Sequence, residues 1–174
     1  MHRRRFIGLV AGGLVLSAAP LGAGPSPEGD GSAGSAPKIT RLVIVKHRRR
    51  LYLLSGEKVV RRYSIDLGFA PRGDKKVEGD GRTPEGRYVI DRKNPDSRYH
   101  LSLGISYPNA RDRAEAARLG KSPGGDIFIH GRPFLIRLLK GRRDWTAGCI
   151  AVSNREIEEI YRLVEIGTPI DIYP

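Results

Sequence analysis

From Lys38 onward, the sequence is divided into short apolar runs that are separated by turns rich in glycine, proline and charged residues. The first three runs, at 39–46, 51–54 and 58–65, are joined by connections of only a few residues, which is the pattern of hairpin-linked strands. The 174 residues include 22 glycines and 12 prolines, which interrupt the chain too often for a bundle of long helices. The sequence therefore predicts a mainly β domain.

The clearest helix is predicted near the C-terminus, at 155–164. Asn154 suits its N-cap, and Ile157, Ile160 and Val164 lie on one face. A shorter helix is predicted at 111–119 and a helical turn at 133–140. Further strands are predicted at 87–91, 99–106, 126–130 and 169–173. The predicted fold class is mainly β, with a C-terminal helix and short additional helices.

The N-terminal residues 1–23 have the organisation of a secretory signal peptide. Three arginines precede an apolar run at 6–19, which is short for a membrane span, and small residues follow at a cleavage-like site. The run HRRRFI resembles a twin-arginine export signal. Residues 24–37 are rich in Gly, Ser and Pro and predict a flexible linker, which leaves 38–174 for the folded domain. We expect export to the periplasm or cell envelope; an uncleaved membrane anchor is the alternative.

The net charge of +12 predicts polyanionic surroundings, which could be nucleic acid or a bacterial envelope. Nucleic-acid binding would require a recognised module or aromatic residues interleaved with the basic ones. The sequence has neither, so the basic runs at 47–50 and 75–76 are interpreted as solvated turns. We expect no nucleic-acid partner.

Cys149 is the only cysteine, so the chain cannot form an internal disulfide. Oxidising compartments favour paired cysteines or none, which makes a single thiol in an exported protein conspicuous. Two interpretations compete. Cys149 is either a small buried core residue or a residue retained for its chemistry.

The neighbours of Cys149 favour chemistry without excluding the structural interpretation. His130 ends an apolar run and could act as base, with the Gly131 carbonyl accepting from its other ring nitrogen. The N–H groups of Gly148 and Cys149 could face a developing oxyanion. His100 is the rival base. A thiol, a base and an oxyanion hole together indicate acyl transfer through a thioester.

Several short motifs occur in a fixed order along the domain: TPEG at 83–86, SYPN at 106–109, HG at 130–131, TAGCI at 146–150 and an asparagine at 154. Together they resemble the L,D-transpeptidase catalytic domain, also called YkuD, over roughly 39–173. The run DWTAGC at 144–149 is most similar to the branch that includes murein enzymes acting on lipoprotein-linked peptidoglycan.

The resemblance implies a β-sandwich-like fold and a covalent mechanism without metal or organic cofactor. Cys149 would attack the meso-diaminopimelate carbonyl of a tetrapeptide stem, release D-alanine and pass the acyl group to an amine. His130 would take the thiol proton, the Gly131 carbonyl would orient His130, and the Gly148 and Cys149 N–H groups would form the oxyanion hole. The implied partners are peptidoglycan stem peptides and possibly a wall-linked lipoprotein, and we expect a monomer.

Two positions depart from the family pattern. The family often has a histidine where this chain has Ala147, and His100 is the candidate to replace it. The family also often has an arginine where this chain has Ala151. Arg142 and Arg143 are then the nearest cations for a substrate carboxylate, with solvated loop charge as an equal alternative.

Trp145 and Thr146 complete the predicted substrate contacts. The Trp145 ring either stacks on the stem peptide or packs beneath the loop, and packing is slightly favoured. Thr146 is assigned to the substrate side because it belongs to the motif that carries the cysteine.

Three functional hypotheses result. The first is an exported cysteine acyl-transferase of the L,D-transpeptidase type, acting on peptidoglycan. The second keeps the same site but uses water as acceptor, as a murein peptidase or amidase. The third is a non-catalytic cell-wall-binding module in which Cys149 is inert.

Overall fold

Among the residues that the structure describes, eight strands form one mixed sheet in the order β3-β2-β1-β8-β4-β5-β6-β7. The computed structural model describes residues 37–133 and 143–174. In this sheet β1 pairs in parallel with β8 and β6 with β7, and the other neighbours are antiparallel. The strands are β1 (Arg41–Val45), β2 (Arg50–Ser55), β3 (Lys58–Ser64), β4 (Gly86–Asn94), β5 (Ser102–Ile105), β6 (Phe128–His130), β7 (Ile150–Ala151) and β8 (Pro169–Tyr173).

The period of two in β1 and β2 places one face of the first hairpin in the core. Leu42 and Ile44 in β1, and Leu51 and Leu53 in β2, are fully buried, while their neighbours along each strand are more exposed. Burial of each such side chain contributes about 1.5–3 kcal/mol to the free energy of unfolding. The alternation therefore decides which face of the hairpin turns inward.

Two helices pack beside the sheet within the described residues, α1 (Ala110–Arg118) and α2 (Asn154–Leu163). In α2, Ile157 and Ile160 are fully buried and belong to the same core cluster as the strands. The predicted mainly β fold with a C-terminal helix is confirmed.

The predicted N-cap of α2 is wrong by one residue. Ser153 has extended backbone geometry, and its hydroxyl accepts from the N–H of Glu156, while the Glu156 carboxylate accepts from the Ser153 N–H. This reciprocal capping box leaves the side chain of Asn154 available for a different contact, described below.

The sheet curls until its two edges meet. Asp66 follows β3 at one edge, and Ala151 lies in β7 at the other, yet their N–H and carbonyl groups exchange two hydrogen bonds of 2.9 Å. A second bridge joins Gly68 to Thr146. These bridges fix the segment around Cys149 against the chain that follows β3.

Several predicted features lie outside the described residues. The signal peptide at 1–23, nearly all of the linker at 24–37, most of the helical turn at 133–140 and the side chain of Arg142 belong to this group and stay predictions. Within 37–133 and 143–174, no helix has the length and apolar character needed to cross a membrane.

Candidate active site

Strands β6 and β7 bring Cys149 and His130 to one face of the sheet. His130 is the last residue of β6, and Cys149 immediately precedes β7. The parallel register pairs His130 with Ala151 and so sets Cys149 level with Phe128. Side chains two residues apart in a strand point to the same face. Both groups therefore lie on the same side of the sheet although they are distant in sequence.

Cys149 and His130 line one pocket of about 380 Å³. The pocket wall comes from β4, β5, β6 and the connection between β4 and β5. Its lining residues are Asn94, Asp96, Ser97, Arg98, Tyr99, Ser102, Asp126, Phe128, His130 and Cys149.

The imidazole of His130 is buried and held by one hydrogen bond and two aromatic neighbours. Its Nδ1 lies 2.6 Å from the Gly131 carbonyl oxygen. The Tyr99 ring lies 4.5 Å away, tilted by 35°, and the Trp145 ring lies 5.8 Å away, edge to face. When Nδ1–H donates to this carbonyl, Nε2 keeps a lone pair. Burial lowers the pKa of His130, which the hydrogen bond to Gly131 partly offsets.

The thiol of Cys149 is partly exposed to the pocket, and Sγ donates to the Asp126 carbonyl oxygen at 3.4 Å. Burial raises the pKa of Cys149. Because the pKa of His130 is lowered and that of Cys149 raised, the resting pair is a neutral imidazole and a thiol. A neutral thiol of this kind can pass its proton to a neutral imidazole while the sulfur attacks a carbonyl carbon.

The turn that carries Cys149 is closed by hydrogen bonds of Thr146. The buried hydroxyl of Thr146 donates to the Cys149 carbonyl at 2.7 Å and accepts from the Gly148 N–H at 3.2 Å. This geometry does not support the predicted substrate contact of Thr146, because its hydroxyl is used inside the turn. It also occupies the Gly148 N–H, one of the two donors predicted for the oxyanion hole.

Gly148 is required by packing rather than by access of a substrate. Its φ of +137° is unfavourable for other residues, and a Cβ at this position would lie 2.7 Å from the Arg82 carbonyl oxygen. The turn is therefore pressed directly against the backbone of the loop before β4.

His100, the rival base, lies elsewhere. Its Nε2 is 2.7 Å from Glu158 Oε1 on α2, and the side chain is 40% exposed. His100 is absent from the described residues that line the Cys149 pocket. The geometry thus groups Cys149 with His130 and separates it from His100.

Of the two predicted cations for a substrate carboxylate, Arg143 is not brought to the pocket. Arg143 lines a different cavity, and Arg142 lies outside the described residues. The exposed cation in the Cys149 pocket is Arg98. Sequence reasoning missed Arg98 and Tyr99. The signal that could have found them is their position at the start of the predicted strand 99–106, since β5 within that range pairs with the His130 strand.

A set of hydrogen bonds holds the loop after His130. The Asn154 side-chain oxygen accepts from the Arg132 N–H at 2.7 Å, and the Arg132 guanidinium pairs with the buried carboxylate of Asp66. A Cβ on Gly131 would lie 2.7 Å from that same Asn154 oxygen. The position of the Gly131 carbonyl, and with it the orientation of His130, depends on these contacts.

Trp145 packs near the catalytic pair, with its ring also 6.2 Å from the Tyr99 ring. It is absent from the described residues of the pocket lining, which agrees with the packing interpretation rather than with stacking on a substrate. Within the described ranges, no group of three or more His, Cys, Asp or Glu side chains is arranged to hold a metal ion.

The family model described as the L,D-transpeptidase catalytic domain (YkuD) matches residues 39–172. A similar protein is YafK of Escherichia coli (strain K12), named as a candidate L,D-transpeptidase. It is 33% identical over 135 residues, which cover 71% of this chain and 48% of YafK. The chain thus spans about half the length of the curated relatives it matches.

Solved structures give the same fold. The helical cell shape determining protein Pgp2 from Campylobacter jejuni is 29% identical with a TM-score of 0.57, over 77% of this chain and 47% of Pgp2. An L,D-transpeptidase from Mycobacterium smegmatis is 17% identical with a TM-score of 0.51, over 77% of this chain and 58% of that protein. At that lower identity the likeness establishes the fold alone.

Proposed function

Because the chain belongs to the L,D-transpeptidase catalytic domain (YkuD) family, we propose that it is an exported cysteine acyl-transferase acting on peptidoglycan stem peptides. The observation that carries the proposal is the shared pocket of Cys149 and His130. There the Gly131 carbonyl holds one imidazole nitrogen and leaves the other to act on the thiol.

In the first half-reaction, the Cys149 sulfur attacks the carbonyl carbon of the diaminopimelate residue in a tetrapeptide stem. The thiol proton passes to Nε2 of His130 as the carbon–sulfur bond forms. The Cys149 N–H donates to the oxyanion, and the Gly148 N–H joins it only if it leaves the Thr146 hydroxyl. The carbon–nitrogen bond then breaks, and D-alanine leaves with the proton from His130.

In the second half-reaction, an amine of an acceptor attacks the thioester carbonyl. His130 takes a proton from this amine, and the sulfur departs and recovers the proton as a thiol. The donor stem has exchanged its bond to D-alanine for a bond to the acceptor, and the site has returned to a thiol and a neutral imidazole.

Arg98 provides the positive charge that the family often places two residues after the cysteine. It is exposed, it lines the same pocket as the reacting sulfur, and Ala151 stands where the family often has an arginine. A guanidinium binds a carboxylate through paired hydrogen bonds. Arg98 therefore binds a carboxylate of the stem peptide and positions the scissile carbonyl over Cys149.

The cellular setting rests on the N-terminal sequence and on the relatives. Residues 1–23 have the pattern of an export signal, and the net charge of +12 suits the anionic wall. Pgp2, a similar protein, is described as determining helical cell shape. We place this protein in the periplasm or cell envelope, as a monomer whose partners are stem peptides and possibly a wall-linked lipoprotein.

A carbapenem tests the nucleophile directly, because its strained carbonyl accepts the attacking sulfur and the product remains bound. Intact-mass spectrometry should show one adduct on the wild type and none on Cys149→Ala. The rate of adduct formation should fall at least about 100-fold in His130→Ala and less than about threefold in the matched variant His100→Ala. The absence of an adduct on the wild type would support the wall-binding module instead.

Digestion of purified sacculi followed by analysis of the muropeptides tests the acceptor. New cross-links or exchanged D-amino acids, absent with Cys149→Ala, are expected for an acyl-transferase. Loss of linkages without new ones would replace the transferase by a murein peptidase or amidase that uses the same site.

A further inference from the structure

A second cavity of about 580 Å³ lies apart from the catalytic pocket and shares none of its lining residues. Its wall combines the turn after β1, the loop before β4 and the residues that lead into the Cys149 turn. The lining residues that this argument uses are Lys46, Arg49, Arg72, Glu85, Arg143 and Asp144.

The side chains that line this cavity carry more positive than negative charge. Four lysine and arginine side chains face two carboxylates. Lys46 pairs with Glu85 at 2.8 Å, and Arg49 pairs with Asp144 at 2.7 Å, so both carboxylates are already neutralised by a partner. Among the described residues of the wall, Arg72 and Arg143 form no ion pair, although the charge of Arg143 contributes to the lowered pKa of Asp144. Both are exposed at the cavity.

We propose that this cavity binds a phosphate group, as a monoester, diester or pyrophosphate. Two guanidinium groups in one concave site provide paired N–H donors for the oxygens of a single multiply charged anion. His47 also lines the cavity, but its Nδ1–H donates to the Pro174 carbonyl oxygen at 2.7 Å, so the neutral ring adds no second donor and the proposal depends on the two arginines.

The ion-paired residues Lys46 and Asp144 also make contacts that hold the wall of the cavity in place. Lys46 is 2% exposed, and its Nζ also donates to the carbonyl oxygens of Gly73 and Thr83. Asp144 accepts from both the guanidinium of Arg49 and the N–H of Leu67. The residues that directly follow Arg72 and Arg143, Gly73 and Asp144, are thereby held in place, which reduces the ordering cost of binding an anion between the two arginines.

Isothermal titration calorimetry of the whole protein with inorganic pyrophosphate tests the site. We expect saturable binding at one site per chain. The double variant Arg72→Ala with Arg143→Ala should weaken it at least about tenfold, as the loss of charge-assisted hydrogen bonds predicts. The matched control, Arg118→Ala with Lys121→Ala, removes two exposed positive charges from the end of α1. It should change the affinity less than about twofold.

Trp145 provides an independent readout, because it is the only tryptophan and directly follows Asp144. Its emission should change with pyrophosphate over the same concentration range as the heat signal. Equal weakening in both double variants would show general attraction to a basic protein and overturn the proposal, as would the absence of saturation.

A vesicle sedimentation experiment distinguishes two sources of the phosphate group. Adsorption to phosphatidylglycerol vesicles that requires Arg72 and Arg143 assigns the site to lipid headgroups. Pyrophosphate binding without such adsorption assigns it to soluble or polymer-borne phosphate. Both results retain the phosphate site, and neither depends on the activity of Cys149.

Discussion

Burial of His130 and partial burial of Cys149 favour the neutral form of each side chain in the resting protein. His130 is 3% exposed, and removal of its imidazole from water disfavours the charged form. The same effect disfavours the thiolate of Cys149. In the proposed mechanism the neutral thiol gives its proton to His130 during attack, so the pH dependence of the reaction should report on His130.

We predict that carbapenem acylation loses rate only when the pH falls below 6.5. The folded pKa of His130 lies below its ordinary value of 6.5, so the imidazole stays unprotonated until the pH reaches that lower range. The measurement is the pseudo-first-order rate of adduct formation between pH 4.5 and 8. An acidic limb centred above 6.5 would contradict the assigned environment of His130.

Alkylation by iodoacetamide supplies the companion measurement, since it requires the thiolate. The pKa of Cys149 lies above its ordinary value of 9.0, so alkylation should be slow at neutral pH and its rate should still be rising, without a plateau, when the pH reaches 9. Rapid alkylation near pH 6 would indicate a stored thiolate–imidazolium pair instead.

At the scale of elements, two adjacent residues at the start of α2 make contacts with different consequences. Ser153 caps the helix through the N–H of Glu156, and Asn154 reaches across to the N–H of Arg132 behind His130. One residue thus stabilises the helix and the next positions the catalytic loop.

Substitution of these neighbours should separate stability from activity. Ser153→Ala should lower the free energy of unfolding by about 1 kcal/mol through loss of the cap and change the carbapenem acylation rate less than about twofold. Asn154→Ala should lower that rate at least about tenfold, because the Gly131 carbonyl is then less firmly placed. Urea denaturation and adduct kinetics measure the two effects. Equal losses of rate in both variants would refute the division of tasks.

At the scale of the whole molecule, a few buried polar contacts fix how the curled sheet meets its loops. The bridge of Asp66 to Ala151 joins the edges of the sheet. Lys46, at the end of β1, donates to two backbone carbonyls and the Glu85 carboxylate in the loop before β4. That loop supports Gly148 through the Arg82 backbone.

We predict that Lys46→Ala lowers the free energy of unfolding by about 3 kcal/mol, because it leaves two carbonyls and a largely covered carboxylate without their donor. The matched variant Lys58→Ala removes an exposed lysine from edge strand β3 and should cost less than about 0.5 kcal/mol. Urea denaturation of both variants provides the comparison. A cost for Lys46→Ala no greater than that for Lys58→Ala would show that the buried lysine is dispensable.

The local sequence pattern was sufficient to predict the first strands and the C-terminal helix. The alternation in 39–46 and 51–54 predicts β1 and β2, and the spacing of Ile157, Ile160 and Val164 predicts α2, because side-chain direction in a strand or helix follows from sequence separation alone. Motif order in turn identified the family. The cap at Ser153 was missed because serine and asparagine are similar N-caps, and the contact that distinguishes them is with a residue far along the chain.

The sequence by itself determined the mainly β architecture, the C-terminal helix and the candidacy of Cys149. Only the tertiary structure decided that His130 rather than His100 shares the pocket with Cys149, that Thr146 closes the turn, and that Arg98 lines the pocket while Arg143 does not. These outcomes depend on which strands become neighbours and on how far the sheet curls. Both are set by packing between segments distant in sequence, which no local pattern encodes.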